Sequence, residues 1–349
     1  MAFKILSIDG GGIRGIIPAK ILCRLEEEMI KKDGERARLC DYFDLICGTS
    51  TGSIIAIGLA LGMKASDILQ LYTEYADKIF SKKKNSFCAL ITNEPFYERK
   101  NLEKLLSNAY NTAAGKKDPI IADCKTRICI PTYDLGLGKL HVLKTDHLTL
   151  YNNDYHIPAK DVALSSSAAP TYFMPHSFSY YQQGTNNENC CQNYIDGGVF
   201  ANNPALIGLT EALYKLDVKI EDIELLSLGT GILPLSENNP SEKMGLKYWI
   251  NPISDKGLRI YELMASAQAL YIDNTLNLMA TGVGIKEGKR FNYIRVQHVL
   301  SEDIKLDTTD KDMINKLVHI GSDCYQNNHE FITPFISQKV TPYTHHNYK

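Results

Sequence analysis

The first half of this chain alternates segments typical of buried strands with segments typical of helices. Residues 3–8 and 43–47 are short apolar runs that predict strands, and residues 16–29 and 53–61, which follow them, predict helices. Strands that alternate with helices usually lie parallel in one sheet, with the helices on its faces. We therefore predict an α/β fold, and 349 residues are enough for one large domain of this class.

The character of the sequence changes near residue 235. Before that point the further predicted elements are helices at 66–80 and 203–216 and strands at 127–132, 139–143, 193–195 and 223–228. After a linker-like stretch at 233–240 the prediction is mostly helical, with helices at 258–280 and 311–325 and one strand at 292–296. We divide the chain into a catalytic core, residues 1–235, and a mainly helical C-terminal part packed on it, residues 236–349. The boundary is soft, because these helices can pack on the same sheet.

Charge and composition exclude several classes of partner. The net charge of −2 gives no basic field, so we expect no binding to DNA or RNA. The longest apolar stretch, residues 53–63, is too short to span a bilayer, and the N-terminus lacks the order of a signal peptide. Nine cysteines without CxxC pairs suit a reducing compartment, and no Cys/His group has zinc-site spacing. These features predict a cytoplasmic protein.

A G-x-S-x-G motif at residues 48–52 lies between a predicted strand and a predicted helix. Such a turn holds its serine on a strained corner and needs small residues beside it, here Gly48 and Gly52. The helix that follows directs its N-terminal dipole at the serine, which favours a developing negative charge. The pattern is common by chance, but its position between strand and helix predicts that Ser50 is a nucleophile.

A glycine-rich loop, DGGGIRG at residues 9–15, follows the first predicted strand. Gly10, Gly11 and Gly12 expose backbone N–H groups and let a substrate come close, as an oxyanion hole requires. Arg14 adds a cation that can hold the loop or offset the charge of an anionic intermediate. The loop is therefore a candidate oxyanion hole.

The same loop also satisfies the G-x-G-x-x-G fingerprint of dinucleotide-binding folds. That fingerprint requires an acidic residue at the end of a second strand, about 20 residues further on. Residues 29–34 belong instead to a helix end and a polar turn, and Asp33 is not preceded by a strand. The dinucleotide interpretation is the weaker alternative.

A third motif, Asp196-Gly197-Gly198, follows a short predicted strand. An Asp beside two glycines is usually only a turn, but here a nucleophile needs a base. A Ser–Asp pair can work without histidine if the carboxylate is within hydrogen-bond reach and partly desolvated. We therefore predict Asp196 as the base for Ser50. His176 is the candidate third member if the site is a triad.

The three motifs, with SSSAAPTYF at residues 165–173 and LSLGTG at 226–231, resemble the patatin-like phospholipases over residues 3–231. The resemblance implies a three-layer α/β/α sandwich with a mainly parallel central sheet. It implies a dyad of Ser50 and Asp196, an oxyanion hole in the glycine loop, and hydrolysis of a phospholipid or other fatty-acyl ester without metal or organic cofactor. Two alternatives stay open: an acyltransferase on the same site, and a ligand-binding regulatory protein on a hydrolase scaffold.

Bacterial members of this family include effectors of antiviral defence whose phospholipase is activated by a cyclic oligonucleotide. The resemblance therefore implies a cyclic-oligonucleotide activator and transient contact with a membrane surface, and it leaves a homodimer open. We expect a cytoplasmic protein that is peripheral to a membrane when active. Residues 236–349 are then the candidate regulatory part, in which Lys286, Lys289 and Arg290 form a candidate anion contact or a solvated charged loop.

Overall fold

The computed structural model describes residues 2–80, 94–234, 243–250, 259–281 and 290–348. In these ranges the strands are β1 Phe3–Ile8, β2 Leu45–Gly48, β3 Arg127–Asp134, β4 Lys139–Lys144, β5 His176–Tyr181, β6 Glu188–Asp196, β7 Ile223–Leu228 and β8 Asn292–Val296. The helices are α1 Ile16–Asp33, α2 Thr51–Ala60, α3 Ala65–Ile79, α4 Lys100–Ala114, α5 Ala159–Ser166, α6 Gly198–Ala201, α7 Ala205–Tyr214, α8 Leu246–Trp249, α9 Arg259–Thr281 and α10 Lys311–Ile332. None of these helices has the length and apolar character needed to cross a membrane.

One mainly parallel sheet contains all of the described strands, in the order β5-β6-β3-β2-β1-β7-β8, with β4 also paired to β3. The strands from β3 through β2, β1 and β7 to β8 run parallel. Antiparallel pairs join β4 and β6 to β3, and β5 to β6. The parallel centre follows from near-continuous apolar runs such as that of β1, which is buried from Lys4 to Ile8. The predicted α/β fold with a mainly parallel sheet is confirmed.

Helices cover both faces of the sheet. Because side chains alternate along a strand, Leu6 and Ile8 of β1 point to one face and Ile5 points to the other. The first face packs against α1, α2, α3, α4, α5 and α10, and the second against α7 and α9. All ten residues of α2 are buried, which explains why its sequence is apolar on every side. The arrangement is the three-layer sandwich that the resemblance implied.

The residues after the predicted boundary at 235 extend the same sheet and the same core. Strand β8 pairs in parallel with β7, from Glu224 opposite Asn292 to Leu228 opposite Val296. Helix α10 buries apolar residues in the core that also holds the apolar side of α1. The C-terminal part therefore has no separate hydrophobic core among the described residues, and its regulatory role stays a prediction.

Candidate active site

Ser50 lies on the corner between β2 and α2 with φ 54° and ψ −122°, a backbone conformation that residues other than glycine rarely adopt. The flanking glycines are required by close packing. A Cβ on Gly48 would lie 2.1 Å from the carbonyl oxygen of Gly52, and one on Gly52 would lie 2.2 Å from that of Ile8. The N–H of Ser50 donates to Oγ of Ser166 at 3.1 Å. The strained corner predicted for residues 48–52 is present.

Asp196 ends β6 and is fully buried. Its Oδ1 accepts a hydrogen bond of 2.7 Å from the N–H of Gly198, whereas Oδ2 has no hydrogen-bond partner in the described ranges. Burial raises the pKa of Asp196 to about 7, although the Ser50 hydroxyl and the Gly198 N–H both act to lower it. A carboxyl group with this pKa is well suited to accept a proton at neutral pH.

The Ser50 hydroxyl is close enough to Asp196 to favour the charged carboxylate, yet the contact lacks the geometry of a full hydrogen bond. Such contacts in an empty site often tighten only when substrate is bound. The position of Asp196 is fixed by its backbone, since its N–H donates to the carbonyl of Ala168 at 3.0 Å. Gly197 packs closely on Pro131, since a Cβ on Gly197 would lie 2.2 Å from the carbonyl oxygen of Pro131. The sheet thus brings the predicted nucleophile and base together.

The glycine loop after β1 lies beside Ser50. The N–H of Gly10, one of the predicted oxyanion donors, donates to the carbonyl of Asn202 at 3.0 Å. Gly10 also provides space, because a Cβ there would lie 3.2 Å from Cβ of Ser50. No described residue accepts a hydrogen bond from the N–H of Gly11 or Gly12, and both glycines line the cleft. The free N–H groups of the loop are therefore those of Gly11 and Gly12.

The alternative interpretation of this loop, dinucleotide binding, also requires an acidic residue at the end of a second strand. Asp33 ends helix α1 instead of a strand, and its carboxylate accepts a hydrogen bond from the Tyr42 hydroxyl. The acidic residue that the fingerprint requires is absent from the described strand ends at this spacing.

Arg14 is buried, lines the cleft beside Gly12 and has an Nε atom without a described partner. Burial lowers the pKa of Arg14, and the carboxylates of Glu262 and Asp303 act in the opposite direction. The guanidinium is therefore a desolvated cation next to the glycine loop.

Asp9, the first residue of the loop, forms a buried ion pair that the sequence analysis missed. Arg295 on β8 donates from Nη1 to Oδ1 at 2.9 Å and from Nη2 to Oδ2 at 2.6 Å. It also donates to Oγ of Ser227 at 2.8 Å. Burial raises the pKa of Asp9, and the charge of Arg295 opposes this shift. The available signal was Asp9 itself, because a carboxylate at the end of a buried strand needs a cation partner.

Other residues from the end of the chain support the same loop. The N–H of Ile13 donates to the carbonyl of Leu306 at 2.8 Å, and a Cβ on Gly12 would lie 2.2 Å from that same oxygen. Thr230 donates from Oγ1 to the carbonyl of Gly10 at 2.8 Å. The shape of the candidate oxyanion hole therefore depends on residues of both parts of the chain.

Ser50 lines a cleft that is partly open to solvent. Most of its lining is apolar, including Ile54, Leu102 and Phe173. The N-terminal half of α9 forms one wall through Tyr261, Glu262, Ala265, Ser266 and Ala269. A cleft with apolar walls and a few polar groups suits an acyl chain.

His176 lies outside this constellation. Its Nε2 is 2.9 Å from Oδ1 of Asp161, and its Nδ1 is 3.1 Å from Nη1 of Arg99. It is not among the residues that line the cleft. The histidine has a carboxylate partner of its own, and that partner is not Asp196.

One buried group of the described residues, Cys129, His147 and Glu211, has side chains close enough to share a metal ion. Glu211 already accepts hydrogen bonds from Lys144 at 2.5 Å and Tyr151 at 2.7 Å, and lies 3.0 Å from Nε2 of His147. A lysine ammonium thus satisfies the carboxylate, so the group is a structural polar cluster.

Residues 6–209 match the model of the family described as Patatin-like phospholipase. The cGAMP-activated phospholipase of Vibrio cholerae is 31% identical, with 91% of this chain and 89% of that protein aligned. Patatin-like protein 2 of Arabidopsis thaliana is 35% identical, with 84% of this chain and 75% of that protein aligned. The cGAMP-activated phospholipase of Escherichia coli is 32% identical, with 65% of this chain and 62% of that protein aligned.

Proposed function

Because this chain belongs to the patatin-like phospholipase family and is a lipid ester hydrolase, we propose that it cleaves phospholipid acyl esters with Ser50 as nucleophile and Asp196 as base. The observation that carries the proposal is the pairing of a serine on a strained corner with a fully buried carboxyl group whose pKa is about 7. The serine supplies an exposed attacking oxygen, and the carboxylate supplies a base of matched strength.

The reaction has two halves that use the same groups. The Ser50 hydroxyl gives its proton to Asp196 while its oxygen attacks the acyl carbonyl carbon. The N–H groups of Gly11 and Gly12 donate to the oxyanion, and Asp196 then protonates the departing alcohol. A water molecule attacks the acyl-serine ester, gives its proton to Asp196, and releases the fatty acid with return of the proton to Ser50.

Arg14 supports the anionic intermediate in this mechanism. Its buried guanidinium lines the cleft next to the glycine loop, where a positive charge has strong effect because water is excluded. It acts through its charge, without donating the hydrogen bonds assigned to the two glycine N–H groups.

We also infer transient contact with a membrane surface through α9. The outward side of this helix exposes Met264, Leu270, Tyr271 and Leu278, each between 44% and 67% exposed. The charged residues of α9 are Arg259, Glu262 and Asp273, and each of them is partly buried. An uncharged apolar helix face beside a lipid-binding cleft suits the interfacial layer of a bilayer.

The cyclic-oligonucleotide activator and the role in antiviral defence are proposed from the two relatives whose names state activation by cGAMP. In this proposal a cytoplasmic enzyme stays poorly active until the nucleotide binds, and residues 236–349 transmit the signal. Lys286 and Lys289, two of the three candidate anion contacts, lie outside the described residues. Arg290 is exposed, and its N–H donates to the carbonyl of Ala280 at 2.9 Å.

The first test of the proposal is the Ser50→Ala variant. It is expected to lose turnover by roughly a millionfold, because the attacking oxygen is removed while the corner can still form. The measurement is mass spectrometry of fatty acids released from mixed phospholipids, with any activator present. A fluorophosphonate probe is expected to label the wild type at Ser50 and to leave the variant unlabelled.

Two results would contradict this proposal. An active, unlabelled Ser50→Ala variant would show that another residue is the nucleophile. Acyl groups recovered mainly on an added alcohol, with little free fatty acid, would identify an acyltransferase.

A further inference from the structure

Tyr261, in the first turns of α9, brings a hydroxyl group to the catalytic pair from the C-terminal part of the chain. A Cβ built on Gly198 would lie 3.0 Å from Oδ1 of Asp196, 3.2 Å from the hydroxyl oxygen of Tyr261 and 3.3 Å from Oδ1 of Asn202. The phenol and the carboxylate therefore border the same atom-sized space beside Gly198.

The two groups complement each other chemically. Oδ2 of Asp196 is buried and has no hydrogen-bond partner among the described residues, and none of them forms a hydrogen bond with the hydroxyl of Tyr261. A phenol hydroxyl in a protein interior usually finds an acceptor, and a buried carboxylate oxygen usually finds a donor. Burial raises the pKa of Tyr261 well above its ordinary value, and the charge of Asp196 adds to the shift. The phenol therefore remains a hydrogen-bond donor at every pH at which the enzyme works.

We propose that Tyr261 is a positioning residue for Asp196: in the working enzyme its hydroxyl donates a hydrogen bond to the carboxylate and holds it towards Ser50. The inference rests on the proposed function of Ser50 and Asp196 and adds a third group to their site. The donor stabilises the charged carboxylate, which is the form that accepts the serine proton. Correct placement of α9 is then a condition for full activity.

The test is the pH dependence of kcat/KM in the Tyr261→Phe variant, measured on a soluble short-chain ester. The ring is retained, so packing in the cleft is preserved while the donor is removed. The acid limb of the profile is expected to move up by about one pH unit, because the carboxylate loses a stabilising hydrogen bond. At pH 7 the rate then falls by about fivefold, and above about pH 9 it returns to the wild-type value.

Tyr214→Phe is the matched control, since Tyr214 ends α7, is exposed and does not line the cleft. It is expected to keep the wild-type profile. The rate of fluorophosphonate labelling at each pH gives a second readout, which is expected to shift with kcat/KM.

An acid limb that does not move in Tyr261→Phe overturns the inference, whether or not the rate at its plateau falls. If Ser50→Ala is inactive in the same assay, the proposed function survives that result. If Ser50→Ala is active, the proposed function itself fails, and the two failures are thereby distinguished.

Discussion

Asp196 is a carboxyl group that the fold buries completely although its proposed chemistry needs the charged form. Its pKa of about 7 in the folded protein lies above the ordinary value of 3.8. Between these two values the folded protein binds a proton that the unfolded chain releases, so this residue makes stability fall as the pH rises towards 7. Burial of Asp196 therefore lowers the stability of the folded protein near neutral pH while it makes the carboxylate a stronger base.

The comparison of Asp196→Asn with His176→Ala tests which residue is the base. Asp196→Asn is expected to lower kcat by roughly ten-thousandfold, because an amide cannot accept the serine proton. His176→Ala is expected to change kcat by less than about fivefold and to lower Tm, because it leaves Asp161 buried without its partner. Steady-state kinetics and thermal melts of both variants give the comparison.

The wild-type pH profile provides an independent check. Since the base must be deprotonated, activity is expected to fall as the pH drops through about 7, the pKa of Asp196. Asp196→Asn should melt no lower than the wild type, because it removes a buried charge. A folded His176→Ala protein with the larger loss of kcat would identify a triad and contradict the dyad.

At the scale of single residues, motifs with local spacing were predictable from the sequence, whereas long-range contacts were not. Ser50 and Asp196 are predicted from motifs whose geometry is set within a few residues. Arg295 was missed because it pairs with a residue 286 positions away. The hydrogen bond from the N–H of Gly10 to the carbonyl of Asn202 was also missed, because no local pattern connects Asn202 to the loop.

Among the elements, α9 has an unusual distribution of side chains. One side lines the cleft and the opposite side exposes large apolar residues to solvent. Periodicity predicted this helix at 258–280, close to the observed Arg259–Thr281, because its core-facing residues recur at helical spacing. Periodicity could not predict which surface covers the site, since that depends on how the helix packs on the sheet.

The Met264→Glu, Tyr271→Glu double variant tests the proposed membrane contact of α9. Hydrolysis of phospholipid vesicles is expected to fall by about tenfold or more, because two apolar side chains no longer enter the interface. Hydrolysis of a soluble short-chain ester is expected to be unchanged. The measurement is the ratio of the two rates in one preparation.

Leu150→Glu is the control for this variant. Leu150 is 81% exposed and follows β4, which runs antiparallel to β3 and so ends at the sheet edge opposite Ser50. Equal loss of vesicle hydrolysis in this control would remove α9 from the proposal. Sedimentation of both proteins tests a further outcome. A dimeric wild type and a monomeric double variant would show that this face of α9 binds a second copy of the chain.

Two short elements show the limits of periodicity. Strand β5 was not predicted because HSFSYY mixes polar residues with aromatic ones, although the less exposed His176, Phe178 and Tyr180 alternate with exposed residues along it. Strand β6 begins at Glu188, before the predicted 193, because its exposed first half is held by pairing with β5. Both strands are specified by their neighbour in the sheet more than by their own sequence.

In the molecule as a whole, the C-terminal part is joined to the catalytic part by a strand pair, a shared core and the contacts of the glycine loop. The proposed regulation by residues 236–349 therefore requires small displacements, since detachment would break the sheet. Interfaces of this kind switch between discrete packings instead of deforming gradually.

The purified protein is expected to hydrolyse dispersed phospholipid slowly, and a cyclic di- or trinucleotide is expected to raise the rate by up to about 100-fold. That gain corresponds to moving from about 1% to about 99% of active molecules, for which a ligand must prefer the active state by roughly 5.5 kcal/mol. Initial rates with a panel of cyclic nucleotides, and with linear dinucleotides as controls, provide the measurement. High activity that no saturating nucleotide changes would contradict the proposed activation.

The pairing of Asp9 with Arg295 also sets when, during synthesis, the enzyme can become complete. The ribosome makes the glycine loop before the arginine that neutralises Asp9, which is added 286 residues later. At about 5–20 residues per second, that delay is on the order of 15 to 60 s. Throughout this delay the nascent chain carries its serine corner without the ion pair between Asp9 and Arg295. A polypeptide still attached to the ribosome therefore lacks one of the contacts that fix the shape of this loop.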